Sequence, residues 1–409
     1  MTLAVAYIDP GTGSMLFTIV TGFAVALYFV AKSAWIRVKT IFAGRGTSRS
    51  VVGNGRERIV IYSEGKRYWN VFLPIVEELE RRGVEAAFWT SEEDDPVFGA
   101  KLEHVRPLYV GAGNRAYARL NMLEAAFCLS TTPGLDVYQW KRSKAVGHYA
   151  HVMHSVDDAT SYRLFGLDYF DSVLLTGEYQ TAGIRELEAK RRLKPKELPV
   201  VGSTYLDVYA REVGSLPQRD GGAATVLVSP SWGESGLLRR YGESLLVPLA
   251  ESGLRVIVRP HPQSLLSESA TIEGLKAALS RFPAVEWDFA RENLPSLARS
   301  DVMISDFSGI IFDYAFLFGR PVLYANKDFD ARPYDASDVD STPWKFAILP
   351  RLGRELASAD FHRIGEVVES AMADRSLREG IGEARDLAWQ HRSESGARAV
   401  DFIQERALA

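Results

Sequence analysis

Along most of this chain, short apolar runs rich in β-branched residues alternate with stretches whose apolar positions recur every three or four residues. The first kind predicts buried strands and the second amphipathic helices. In the first half, strands are expected at 58–62, 85–89, 105–110, 127–130, 145–153 and 172–175. Helices fall between them at 69–82, 115–126 and 178–193, the first stopped by Gly83. A Pro/Gly-rich break over 216–223 is the best candidate domain boundary. The alternation then resumes, with strands at 225–229, 255–259, 285–288, 301–305 and 321–324 and helices at 236–251, 268–281, 294–299 and 308–318. From about residue 360 the chain reads as helical with one charged face. This order predicts two α/β, doubly wound, Rossmann-like domains facing a cleft, with the chemistry on loops at the carboxyl ends of strands.

One run breaks the alternation. Residues 15–31 carry no charge, and as a helix they would span roughly 26 Å, close to the ~30 Å hydrocarbon core of a bilayer. Lys32, Arg37, Lys39, Arg45 and Arg49 follow, whereas residues 1–14 hold only Asp9. A cleaved signal peptide would carry its basic residues before the apolar run, and a buried core helix would not need the basic flank. The pattern predicts one transmembrane helix at about 15–35 within an anchor of residues 1–42. Tyr28 and Trp35 are expected at the membrane interface, with the bulk of the chain on the cytoplasmic side of the inner membrane. A Gly/Ser/Arg-rich linker is expected over 43–57.

Composition narrows the possibilities. With 409 residues, 46% of them hydrophobic and 24% charged, the chain is long enough for two full-sized cores. A net charge of −4 offers no field for a nucleic acid, so anionic ligands must be held locally. The single cysteine, Cys128, excludes an internal disulfide and a multi-cysteine zinc site. Neither a Gly-x-Gly-x-x-Gly turn after a first strand nor a Walker-type phosphate loop is present, and no acidic cluster calls for a metal. No cofactor is implied.

Four strand-end loops remain. In Ser305-Asp306-Phe307-Ser308-Gly309, small hydroxyl residues and a glycine open a helix. Such a turn either binds an anion through backbone N–H groups and the helix dipole or is a plain helix cap. Arg259-Pro260-His261-Pro262 joins a permanent cation to a titrating ring, as a leaving phosphate would require, or is a surface turn. His148, His151 and His154 recur every third residue, but the surrounding pattern is that of a strand, whose faces alternate, which argues against a metal site. His154, at the strand end, is the candidate general base, with a structural histidine as the alternative. Ser229-Pro230-Ser231-Trp232 closes the first strand of the second half and could line the cleft through Ser231.

Together, in this order, the loops resemble the CDP-glycerol:poly(glycerophosphate) glycerophosphotransferase family of teichoic-acid synthesis over roughly residues 140–330. Arg259-Pro260-His261 is similar to that family's Arg-Pro-His, and Ser305-Asp306-Phe307-Ser308-Gly309 running on to Phe312-Asp313-Tyr314 is similar to its most specific motif. The resemblance implies the GT-B fold, with an acceptor domain over 58–215, a donor domain over 224–385 and a C-terminal helix over 386–409. It further implies transfer of glycerol phosphate from CDP-glycerol to a hydroxyl of a polyol-phosphate or glycan acceptor on a lipid carrier, with release of CMP. His154 would be the base and His261 would serve the leaving group. Arg259, Ser231, Ser305, Asp306, Ser308, Gly309 and Asp313 would hold the donor. The alternatives are a GT-B glycosyltransferase using a nucleotide-sugar and a non-enzymatic binding protein. The chain departs from the family pattern after His154, where Ser155, Val156, Asp157, Asp158 and Ala159 replace a Gly-Thr-Pro-Leu-Lys-like stretch, and at Gly233, where the family has arginine.

Overall fold

The computed structural model describes residues 57–216, 222–325 and 330–408. The anchor expected at 15–35, all but the last residue of the expected linker, and most of the break at 216–223 lie outside the described residues. Among the described residues, no helix is long and apolar enough to cross a membrane.

Two six-stranded parallel sheets form the body. The first contains β1 (Glu57–Ser63), β2 (Ala86–Thr90), β3 (Val105–Tyr109), β4 (Ala125–Ser130), β5 (Val146–Val152) and β6 (Ser172–Leu174), in the order β3-β2-β1-β4-β5-β6. The second contains β7 (Thr225–Val228), β8 (Arg255–Val258), β9 (Val285–Trp287), β10 (Val302–Ser305), β11 (Val322–Tyr324) and β12 (Gly353–Glu355), in the order β12-β11-β10-β7-β8-β9. Counted from its own first strand, each sheet has the same 3-2-1-4-5-6 order, the doubly wound arrangement in which ligands bind where the winding reverses. The reversals fall between β1 and β4 and between β7 and β10. Strands such as Thr-Val-Leu-Val of β7 and Val-Met-Ile-Ser of β10 are buried along their whole length, which is why they read as unbroken apolar runs.

The helix Trp69–Arg82 has the predicted bounds. Val71, Phe72, Ile75, Val76 and Leu79 form its buried face, and Gly83 ends it at φ 65°, a left-handed cap that favours glycine. Other helices are broken where single ones were expected: 236–251 becomes Leu237–Arg240 and Glu243–Glu251, and 115–126 shortens to Asn114–Leu120. The helix Thr204–Val213 and strand β12 carry no expectation from the sequence.

Two segments of the second half return to the first lobe. Residues 330–345 form a strap against the loop that follows β5 and the helix Thr181–Arg191. Leu164 N–H donates to Pro333 O (3.2 Å), Asp335 N–H donates to Tyr162 O (2.8 Å), and the largely buried Arg191 guanidinium pairs with Asp168, Asp335 and Asp338 at 2.6–2.8 Å. The helix Ser395–Leu408 packs on Trp69–Arg82 and on β4, with the Phe402 ring 6.4 Å from Phe127. Each of its fully buried large side chains, Val400 and Ile403, contributes about 1.5–3 kcal/mol of apolar burial. Buried Asp207 anchors the returning chain by accepting from Trp389 Nε1 (2.9 Å), Ser393 N–H (2.9 Å) and Ser395.

Candidate active site

At the reversal of the second sheet, β7 and β10 run side by side with Ile304 opposite Val228, so Ser305 emerges beside Ser229. The Ser305 hydroxyl is spent on Ser229 O (2.6 Å). Asp306 turns inward and is fully buried, its carboxylate accepting from Ser231 N–H (2.9 Å), Leu237 N–H (3.0 Å) and Ser308 N–H (3.2 Å). Burial raises its pKa while these backbone donors oppose the rise. Ser305 and Asp306 therefore build the turn, and neither side chain is directed at a ligand. Asp306 also fixes Ser231 through its backbone and starts the helix Leu237–Arg240.

Beside this turn lies a cleft of about 300 Å³ whose walls include Ser229, Pro230, Tyr209, His261, Asn293 and Ser308. It brings His261, Arg259 and Ser308 together, as expected from the sequence, and leaves Ser231 and Asp313 out. His261 opens the helix Pro262–Ser267, with Nδ1 accepting from Gln263 N–H (3.1 Å). The neutral ring's proton is thereby assigned to Nε2, which makes that atom a donor suited to a phosphate oxygen. Burial lowers its pKa, and the nearby Asp306 and Glu268 pull it back up.

Arg259 lines the same cleft, but its guanidinium is committed to Asp288 (2.5 Å) and to the carbonyls of Ala290 and Arg291. Its position is structural, bracing the loop after β9. That loop instead presents Arg291, which is exposed, lines the cleft and makes no side-chain hydrogen bond or ion pair among the described residues. Sequence reasoning passed over Arg291. Its only signal was a basic residue in a strand-end loop, Phe289-Ala290-Arg291.

His154 follows β5 in the first sheet. Its Nδ1 lies 3.0 Å from Thr131 Oγ1 and 3.1 Å from Tyr162 OH. Thr131 gives its one proton to Val152 O (2.9 Å), so it must accept from His154, which puts the proton on Nδ1 and leaves Nε2 as the basic atom. Burial lowers the pKa to about 4, so the ring is neutral at pH 7. The other two histidines are engaged elsewhere, His151 with Tyr162 (2.9 Å) and His148 with Ser172 (2.9 Å).

The loop after His154 reaches the second lobe. A Cβ added to Gly309 would lie 3.9 Å from Asp157 Oδ2, so the His154 loop touches the start of the helix Ile310–Phe318. Asp157 also pairs with Lys345 (3.0 Å), and the Asp158 carboxylate accepts from Trp344 N–H. These are the positions that depart from the family pattern, and here they bind the strap. Asp313, expected to hold donor, instead accepts from Tyr205 OH (2.8 Å), and burial pushes its carboxyl up to about 7.

Residues 225–339 match the CDP-glycerol:poly(glycerophosphate) glycerophosphotransferase family. No curated protein matches this sequence. Among solved structures, the wall teichoic acid polymerase TagF is similar with a TM-score of 0.59 at 14% identity, over 95% of this chain and 98% of that one. A TagF variant soaked with CDPG gives 0.55 at 14% identity over the same shares. The UDP-GlcNAc 2-epimerase of Neisseria meningitidis bound to UDP-GlcNAc gives 0.52 at 12% identity, over 86% and 99%. These likenesses show the two-sheet GT-B fold. Over residues 225–339, within the second lobe, the chain is similar to the CDP-glycerol:poly(glycerophosphate) glycerophosphotransferase family.

Proposed function

We propose that this protein transfers glycerol phosphate from CDP-glycerol to a hydroxyl of a polyol-phosphate or glycan acceptor on a lipid carrier. The acceptor oxygen attacks the phosphorus that bears glycerol. A new P–O bond forms, the bond to the bridging oxygen breaks, and CMP departs with that oxygen. His154 Nε2 takes the acceptor proton, while His261 Nε2–H and Arg291 meet the charge developing on the leaving phosphate. Little covalent work is required of the protein, because positioning and charge stabilisation dominate phosphoryl transfer. The apolar run at 15–31 and its basic flank support attachment to a membrane, with the body on the cytoplasmic side.

The observation that carries this reading is the cleft at the reversal of the second sheet. His261 and Ser308 face it together within the segment that matches the family. Thermal-shift titration of the purified protein tests it. CDP-glycerol and CMP should stabilise the fold, and CDP-glycerol should yield CMP when acceptor is added. Stabilisation by UDP- or GDP-sugars alone would replace this reading with a glycosyltransferase.

A further inference from the structure

We propose that Tyr205 and Tyr179 are positioning residues that hold the loop carrying His154 in register with the helix Ile310–Phe318. This rests on the reading of His154 as the base. Val156, two residues beyond His154, has both polar atoms of its backbone held by tyrosine hydroxyls. Its N–H donates to Tyr205 OH (3.3 Å), and its carbonyl accepts from Tyr179 OH (2.6 Å). Gln180 Nε2 adds a bond to the next carbonyl, that of Asp157 (2.9 Å).

Each tyrosine is connected in turn to one residue of the helix that opens at the donor cleft. Tyr205 OH donates to Asp313 (2.8 Å). The Tyr179 ring lies 4.1 Å from that of Trp344, which stacks on Phe312 at 5.4 Å. Two neighbouring residues, Phe312 and Asp313, thus reach the two polar atoms of Val156 by separate routes, one of ring contacts and one of hydrogen bonds.

The arrangement explains why Asp313 sits inside the helix and away from the cleft. A loop peptide free to rotate would let the His154 ring drift, and a displacement of about 1 Å at a reacting group can cost on the order of 10²-fold in rate. Held at both atoms, the loop keeps its ring packed against Tyr68 and Tyr162 (both 5.4 Å between centroids) and shielded from water.

The test uses the full-length protein in detergent, with histidine-detected NMR titration and steady-state kinetics on Tyr205→Phe and Tyr179→Phe. His154 is assigned from the signal lost in His154→Gln. In the wild type it should titrate near pH 4. In either variant the titration should move up by about one pH unit, toward the ordinary histidine value near 6.5, as the ring gains water. The kcat should fall by about 10-fold or more, with the donor KM within about 2-fold. An unmoved His154 titration in a folded variant overturns the proposal, as does a raised KM with unchanged kcat. If Tyr205→Phe does not fold, Tyr179→Phe decides. If the wild type does not use CDP-glycerol, the functional reading falls, while the titration still decides the positioning role.

Discussion

Asp157 and Lys345, 188 positions apart in sequence, form an ion pair at 3.0 Å with both side chains largely buried. It joins the loop after His154 to the strap from the second half. A buried pair adds little net stability over apolar residues of similar size, but breaking it strands a charge, at a cost of about 3–5 kcal/mol. Lys345→Met should therefore lower the unfolding free energy by about 3 kcal/mol, and adding Asp157→Leu should restore most of that loss. Denaturant titration of the single and double variants would show it. Equal losses in both would mean the pair is not what holds the loop.

With His154 as the proposed base, the acid limb of activity should follow its titration. Its burial places protonation at about 4, so kcat/KM should stay flat from neutral pH down to about pH 5 and fall below that. Stability follows the same group with a defined sign. The unfolded chain takes up this proton near pH 6.5 and the folded chain only near 4, so stability is lost as pH falls between those values. His154→Gln should remove that part of the pH dependence along with most of the transfer activity. A pH–rate profile limited near pH 6.5 would show that another group is the base.

Arg259 and Arg291 should separate cleanly. Arg291→Ala should weaken CDP-glycerol and CMP binding by roughly 10-fold without lowering the melting temperature, because it removes a surface cation facing the cleft. Arg259→Ala should destabilise the fold instead, because the partly buried Asp288 loses its partner. Calorimetric titration beside thermal unfolding distinguishes the two. Full-strength binding by Arg291→Ala would exclude it from the donor site.

Asp306→Asn keeps the side-chain volume but replaces one acceptor oxygen with a donor facing backbone N–H groups. The expected cost is about 1–3 kcal/mol, together with loss of donor binding as the Ser231 loop loosens. A stable variant with intact donor affinity would show that the turn does not depend on this carboxylate.

The sheets were legible in the sequence because a buried parallel strand leaves a continuous apolar run, as in β1, β7 and β10. The helix Trp69–Arg82 was legible to its ends because Gly83 marks the stop. The cleft was partly legible, since His261 and Ser308 follow strands of the second sheet, and ligands of such sheets bind beyond the carboxyl ends of the strands. The direction of a side chain was not. Asp306 and Asp313 have the composition of ligand-binding residues, yet one braces a turn and the other a tyrosine, and only tertiary contacts separate those outcomes. Helix Thr204–Val213 was missed because its buried face includes Asp207, whose partners lie more than 180 positions away. The strap was missed for the same reason. Arg163, Asp168 and Arg191 are ordinary surface-type residues until Tyr334 and Asp335 arrive beside them.

The return of Ser395–Leu408 to the first sheet has a consequence for the order in which this protein is made. Phe127, on β4, gets its cover from Phe402, and Pro74 meets Gly396 so closely that an added Cβ would lie 2.3 Å from the Pro74 carbonyl. The first lobe to leave the ribosome therefore cannot seal its interior until residues 395–408 have emerged as well. During that interval its unfinished face is open to chaperones and proteases. Protease digestion of ribosome-bound chains halted before Ser395 should cut the first lobe readily, and chains extended past Leu408 should resist.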